Sequence, residues 1–352
     1  MKVAAMSLIF TLATGMTGMT GASAASVIQP AEWASYLDGF VTDDGRVVDT
    51  ANNGISHSES QGYGLVLSVL ADDRATFERI WSFTNTELLV RDDGLASWRW
   101  DPAATPRITD TNNATDGDML IAYGLALAGD AWSDAGFTDR ARVIATAIGS
   151  SMLADSDGMP AILPGAAGFN EREDGVGPIL NPSYWVFEVL PIFAELDPSV
   201  DWAAVSETGV ELVRRARLTK SGLPPDWLVL DADGVVKPAP DFPVEFGYNG
   251  IRIPLYMMRA GINPVLLDPF RQNADASGLY KIDPLTGNRV EPISEPGYQL
   301  IRAAMECVAA GAAVPEELKT LSATSYYAAT LQLLTLDYLR RSQPTCMAGA
   351  AS

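Results

Sequence analysis

The chain has a single histidine, His57, and two cysteines, Cys307 and Cys346, far from it in sequence. So few soft ligands argue against a zinc site. A Ser-His-Asp triad would have to use His57, and nothing else in the sequence supports one. The two cysteines allow one disulfide in an oxidising compartment; two free thiols are the alternative. Basic residues are also scarce, with 24 Lys and Arg against 44 Asp and Glu and a net charge of −20. Such a chain repels phosphate backbones, so nucleic acid is not an expected partner. A cationic polymer would be attracted, although the simpler reading of the acidity is solubility. No apolar run is long enough for a membrane span in the mature chain. Strand-like alternation of apolar and polar residues is scarce as well.

What is present begins with a leader. Lys2 is the only charge before Glu32, Ala4 to Ala13 is mostly apolar, and Ala22-Ser-Ala24 has the small residues of a cleavage site. This pattern predicts a signal peptide over residues 1–24 and export to the periplasm or the medium. The remaining 25–352 has no low-complexity linker. With 47% hydrophobic residues it can bury a large core, and it reads as one domain.

Apolar residues recur at helical spacing in many runs, among them Leu65 to Leu70, Met119 to Leu127, Ala141 to Leu153, Trp185 to Leu196, Val205 to Val213 and Tyr326 to Leu339. The class predicted is all-α. One β-hairpin is expected in the loops, at Leu228 to Lys237 with Asp233-Gly234 as its turn. Helix starts recur at long, similar intervals. Ser58-x-x-Gln61 reads as a capping box. Thr115-x-x-Asp118 places a hydroxyl and acids at a second start. Asn181-Pro182 pairs a cap with proline in the first turn, and a fourth start is expected near Asn249. Each interval holds a helix, a return helix and loops. Stacked helical hairpins pointing one way would gather Glu59, Asp116, Tyr184 and Asn249 on one face.

The chemistry-bearing segment is His57-Ser-Glu-Ser-Gln-Gly-Tyr-Gly64, with Glu59 as its lone carboxylate. Ala114-Thr-Asp-Gly-Asp118 supplies a second acidic cluster. Two carboxylates from separate helix starts are what glycosidic bond cleavage uses. A first-turn Glu also complements the helix dipole. That placement favours the ionised form, whereas an acid catalyst must hold its proton, so apolar walls and a neighbouring carboxylate are expected to outweigh the dipole. Asp116, next to Gly117, is the better candidate to face a cleft, and Asp118 reads as structural. Trp98 and Trp100 are candidates for stacking on pyranose rings, with their N–H groups free for hydroxyls. Tyr184 is a candidate hydrogen-bond donor and Trp185 a core residue. Arg252 lies in an apolar stretch and needs an acidic partner; Glu59 or Asp116 is one possibility and a structural ion pair another.

Taken together and in this order, these motifs resemble glycoside hydrolase family 8, which holds bacterial endoglucanases, chitosanases, lichenases and xylanases. The likeness runs from Gly45-Arg-Val-Val-Asp49 through Ser58-Glu-Ser-Gln-Gly-Tyr-Gly64 and Ala114-Thr-Asp-Gly-Asp-Met-Leu-Ile-Ala122 to the Arg252 region. It implies an (α/α)6 barrel of six inner and six outer helices and an inverting mechanism in which Glu59 protonates the leaving oxygen. Asp116 matches the family's signature aspartate and would hold and distort the sugar. Tyr63, Trp98, Trp100, Tyr184, Tyr248, Asn249 and Arg252 would bind substrate. No metal or cofactor is implied. A β-1,4-glucan is the substrate implied first and chitosan second. The expected protein is a monomer. Some members work beside the cellulose synthesis machinery, which is a candidate partner. One departure stands out. Many members read Tyr-Asp-Ala-x-Arg where this chain reads Tyr248-Asn-Gly-Ile-Arg252, and the Asp is the proposed general base. Asn cannot take a proton at neutral pH. Asp116, Asp226, Asp241 and Glu245 are the candidates to replace it; failing these, the protein would be a glycan-binding accessory protein of a polysaccharide synthase.

Overall fold

The computed structural model describes residues 27–170, 177–275 and 278–348. The expected signal peptide over 1–24 lies outside the described residues. Twelve α-helices carry the described chain: α1 (Pro30–Phe40), α2 (Ser58–Leu70), α3 (Arg74–Phe83), α4 (Thr115–Ala131), α5 (Ala135–Ser151), α6 (Leu190–Leu196), α7 (Trp202–Ala216), α8 (Arg252–Arg259), α9 (Asp268–Gln272), α10 (Pro296–Ala310), α11 (Tyr326–Ser342) and α12 (Pro344–Met347). They form an (α/α)6 barrel, and the sequence explains which helices go inside. Most of α2, α4 and α11 is buried on every side, including their serines, threonines and glycines. By contrast α7 buries one stripe, Trp202, Val205, Thr208, Gly209, Leu212, Val213 and Ala216, and shows charge on the other face.

Small residues set how closely the inner helices approach. A Cβ added at Gly117 of α4 would fall 2.1 Å from Ser58 Oγ and 2.6 Å from the Glu59 backbone nitrogen. At Gly62 it would fall 2.5 Å from Leu120 Cβ. The bare backbone at these positions lets the first turn of α4 lie against the first turn of α2, which places Asp116 beside Glu59. Buried ion pairs close the ring elsewhere. Glu32 of α1 takes both terminal nitrogens of Arg340 of α11, each at 2.7 Å. Arg259 at the end of α8 is buried between Glu188, at 2.6 Å, and Asp337, at 3.0 Å.

The strands form four two-stranded antiparallel ribbons: β1 (Ser56–His57) with β2 (Arg99–Trp100), β3 (Leu153–Ser156) with β4 (Met159–Ile162), β5 (Leu228–Leu230) with β6 (Val236–Pro238), and β7 (Leu279–Ile282) with β8 (Arg289–Ile293). The predicted hairpin is β5–β6. Asp231 Oδ1 accepts the Asp233 and Val235 backbone N–H groups, and Gly234 takes φ +70°. The other three ribbons were not anticipated, because strands this short carry too few residues for alternation to register. Among the described residues no helix is long and apolar enough to cross a membrane.

The helix starts need correction in detail. The cap of α2 is His57, not Ser58: His57 Nδ1 accepts the Ser60 N–H, and Ser60 Oγ accepts the His57 N–H. Gln61 instead points inward, accepting the Val47 N–H at 2.6 Å and donating to Thr84 Oγ1 at 3.0 Å. Thr115 is the first residue of α4 rather than its cap, and its hydroxyl donates to the Leu163 carbonyl at 2.6 Å. Asp118 is structural; it accepts the Ala96 N–H and the Asn113 amide. The run from Trp185 to Leu196 is broken. Single 3-10 turns at Pro182–Tyr184 and Phe187–Val189 precede α6, because Pro191 has no N–H to continue a helix entering from upstream. Asn249 sits in a turn three residues before α8.

Cys307 and Cys346 are joined, tying α12 to α10 across a sequence separation of 39. Closing a loop of that length limits the unfolded chain by about 4 kcal/mol in the chain-entropy account. The Cys307→Ala/Cys346→Ala variant is therefore expected to unfold at a clearly lower urea midpoint, with the slope read alongside. An unchanged midpoint would show that the bridge adds nothing to stability.

Candidate active site

Arg252 is the first residue of α8, and its side chain is 1% exposed. A guanidinium so deep needs charge and hydrogen-bond partners. Its Nη1 donates to Glu59 Oε2 at 2.6 Å, and its Nη2 lies 2.8 Å from Asp116 Oδ2. Nη2 also donates to Ser183 Oγ at 3.0 Å and to Asn249 Oδ1 at 3.3 Å. The Tyr184 ring centroid is 5.5 Å from the guanidinium carbon. The starts of α2, α4 and α8 and the 182–184 turn thus meet at one side chain, as stacked hairpins of one orientation require.

The electrostatics follow from burial. Burial pushes the Asp116 carboxyl up to about 7 against the pull of Arg252, and the neighbouring Glu59 adds to the rise. Burial would by itself lower Arg252, but Glu59, Tyr327 and Asp116 more than outweigh it, and it stands well above the usual guanidinium value. The two carboxylates differ in access: the Glu59 side chain is 18% exposed and that of Asp116 2%. Glu59 is the one that can meet a ligand while still held by Arg252.

The other expected residues divide into two sets. Tyr184 and Asn249 are at the site, in contact with Arg252. Tyr63 is not available to a sugar: it is 0% exposed, and its hydroxyl bonds to that of Tyr256 behind the cluster. The tryptophan N–H groups expected to be free are taken. Trp98 Nε1 donates to Asp110 Oδ2 at 2.8 Å, and Trp100 Nε1 to Glu87 Oε2 at 3.1 Å. Trp100 also stands edge-on to Phe83, with the Arg46 and Arg107 guanidinium carbons 5.2 and 5.3 Å from its ring centroid. Its ring packs on these groups, and both tryptophans are half-buried. Tyr248 is 44% exposed, its ring edge-on to Tyr298 and its carbonyl accepting the Tyr327 hydroxyl.

Sequence reading missed Ser183, which was masked by its place between a proline and two aromatics. It also missed Trp227, which stacks on Phe242 at 4.6 Å and Phe169 at 5.6 Å and stands 6.1 Å from Tyr184. Trp227 immediately precedes the predicted hairpin and follows Pro224-Pro-Asp226, a turn signal that could have marked it. Of the candidate bases, Glu245 is paired with Lys281 at 2.9 Å and Asp241 is exposed. Asp226 is buried; its Oδ1 accepts the Gly247 and Gly250 N–H groups at 2.8 and 3.0 Å, and burial pushes it up to about 6.

A double ring of helices whose inner starts gather two carboxylates on one guanidinium is the architecture of a glycoside hydrolase. The chain belongs to Glycosyl hydrolases family 8, whose model matches residues 6–340. It is 37% identical over 321 residues to a probable endoglucanase of Novacetimonas hansenii, covering 89% of this chain and 91% of that one. It is 37% identical over 239 residues to an endoglucanase of Cellulomonas uda, spanning 68% of this chain and 66% of the relative. Among solved structures, endo-beta-1,4-glucanase CMCax from Acetobacter xylinum superposes with a TM-score of 0.81 at 33% identity, covering 92% of this chain and 100% of that one. Endoglucanase Cel10 from Klebsiella pneumoniae superposes with a TM-score of 0.80 at 32% identity, covering 88% and 99%. The family resemblance and the barrel read from the motifs are thereby borne out.

Proposed function

We propose that this chain is an endo-acting β-1,4-glucanase that cleaves a cellulose-like polymer with inversion at the anomeric carbon, Glu59 being the general acid. The observation that carries the reading is the position of Glu59. It is the more exposed of two carboxylates on a buried arginine, at the start of an inner helix, where a ligand in the cleft can reach it. Asp116 shares Arg252 with Glu59. A carboxyl on the same guanidinium as the acid is suited to hold and distort the sugar rather than to activate a water on the far face. Tyr184, Trp227, Trp98 and Tyr248 offer partly exposed aromatic surface for pyranose faces. Similarity to endoglucanases supports glucan as substrate. Export as a single-domain monomer, and work beside a cellulose synthase, are part of the same proposal; the leader pattern supports export, the lack of a linker the single domain, and the family resemblance the rest.

The test is release of reducing ends from carboxymethyl cellulose, chitosan, xylan and mixed-linkage β-glucan, with the first-formed anomer followed by NMR. Cleavage of carboxymethyl cellulose giving the α-anomer first is expected. Faster cleavage of chitosan would move the substrate to the cationic polymer that a net charge of −20 attracts. Binding to a glucan with no cleavage of any polymer would replace the enzyme with a glycan-binding protein.

A further inference from the structure

A guanidinium between two carboxylates needs something besides charge to fix its plane. Arg252 Nη1 donates to Glu59 Oε2 at 2.6 Å, and Nη2 lies 2.8 Å from Asp116 Oδ2. Yet Asp116 Oδ2, buried as it is, makes no hydrogen bond. The N–H groups of Nη2 aim instead at two neutral oxygens, Ser183 Oγ at 3.0 Å and Asn249 Oδ1 at 3.3 Å. Neutral acceptors therefore set the plane at the Nη2 end. The guanidinium is rigid and planar, so the same contacts set where Nη1 points at the other end.

Ser183 is the nearer of the two, and it is itself held. Ser183 and Asn181 are both fully buried. The serine hydroxyl has one proton, which goes to Asn181 Oδ1 at 2.7 Å and leaves the oxygen's lone pairs for Arg252. The Ser183 backbone N–H goes to the same Asn181 oxygen at 3.1 Å. Pro182 fixes the backbone between them, and the Tyr184 N–H closes the turn on the Asn181 carbonyl at 2.9 Å. The chain of donors thus runs one way, from Arg252 to Ser183 and from Ser183 to Asn181. Asn181, expected from the sequence to cap a helix, caps a single turn and orients the hydroxyl with the same oxygen.

We propose that Ser183, oriented by Asn181, is a positioning residue for the acid, holding the Arg252 guanidinium in the plane that keeps Nη1 on Glu59. The proposal rests on the hydrolase reading above and adds the pair of residues that aims its acid. Without the hydroxyl, the oxygen open to Nη2 is the unpartnered Oδ2 of Asp116, and a turn of the guanidinium toward it draws Nη1 off Glu59. A hydroxyl suits the task better than an acid would. A third carboxylate on the same arginine would compete with Glu59 for its charge, whereas Ser183 directs the donor and leaves the charge to the two carboxylates.

The experiment compares the full chain with its Ser183→Ala, Asn181→Ala and Asn181→Asp variants on two substrates. One is cellopentaose, whose leaving oxygen needs a proton; the other is a dinitrophenyl cellobioside, whose leaving group does not. Ser183→Ala is expected to lower kcat on cellopentaose by about 10–100-fold, the worth of a hydrogen bond to a charged group, with KM within a few-fold. Its rate on the dinitrophenyl substrate should stay close to wild type, which also shows that it is folded. Asn181→Ala should give the same contrast, because the hydroxyl loses its acceptor. Asn181→Asp should regain most of the kcat that Asn181→Ala loses, since an acceptor oxygen remains and the Nδ2 it replaces makes no hydrogen bond. A Ser183→Ala enzyme within a few-fold of wild type on cellopentaose, or one that loses both substrates equally, overturns the proposal and leaves Ser183 as a packing residue of the turn. If Ser183→Ala does not fold, the contrast is read from Asn181→Ala on the same terms. Glu59→Gln run alongside keeps the two readings apart. A wild type that cleaves no glucan, or a Glu59→Gln enzyme that loses both substrates equally, overturns the acid reading itself.

Discussion

Glu59→Gln is expected to lower kcat on carboxymethyl cellulose by about 10²–10⁴-fold, the usual worth of a positioned general acid. Gln keeps the length of the side chain and an oxygen for Arg252 Nη1, now at 2.6 Å from Glu59 Oε2, so the fold should survive. What it loses is the transferable proton. The loss should therefore depend on the leaving group. A cellobioside with a dinitrophenyl leaving group departs without protonation, and the variant should cleave it at a rate close to wild type. The contrast between the two substrates is the decisive readout. Equal loss on both would remove Glu59 from the acid role and make it a binding group. The variant also removes one of the causes of the rise in Asp116, so that carboxyl should ionise at lower pH than in wild type.

The second large effect is expected at Arg252. Arg252→Met strips the cation from beneath Glu59 and Asp116, and breaking a buried charge cluster on one side costs about 3–5 kcal/mol. Arg252→Lys should not restore activity. A compact ammonium cannot present two nitrogens in one plane to two carboxylates, a serine hydroxyl and an amide. The pH dependence adds a signature. In the fold Asp116 stands at about 7, above its ordinary 3.8. Its contribution to stability is complete below the lower value and is lost as pH rises through about 7. Without Arg252 its folded value rises further, so the stability deficit of Arg252→Met should be smaller at pH 5 than at pH 8. Urea unfolding at the two pH values measures this. A deficit below about 1 kcal/mol at both would mean that the guanidinium and its partners nearly cancel.

The sequence by itself determined the helical class and the family, and it singled out Glu59 as the candidate acid. These rest on signals that act over a few residues: apolar spacing, first-turn carboxylates and short motifs such as Ser58-Glu-Ser-Gln-Gly-Tyr-Gly64. It also implied that Glu59, Asp116, Tyr184 and Asn249 share one face, because hairpins of similar length return each inner helix to the same end. Local signals misplaced the cap of α2 by one residue, since Ser58 and the imidazole of His57 are both able to accept an N–H, and the chain path through β1 selects His57. Only the tertiary structure decided who meets whom. Tyr63 lies behind the site because Tyr256 of α8 takes its hydroxyl, and the two tryptophan N–H groups are taken by Asp110 and Glu87. The two cysteines, open in the sequence between bridge and thiols, are brought together by α10 and α12. The ion pair at the centre joins residues 193 apart, and Asp226 holds the turn that carries Asn249 through the Gly247 and Gly250 N–H groups. Contacts at that separation depend on how whole helices pack, and packing is set by the summed shape of the core rather than by any stretch of chain that can be read alone.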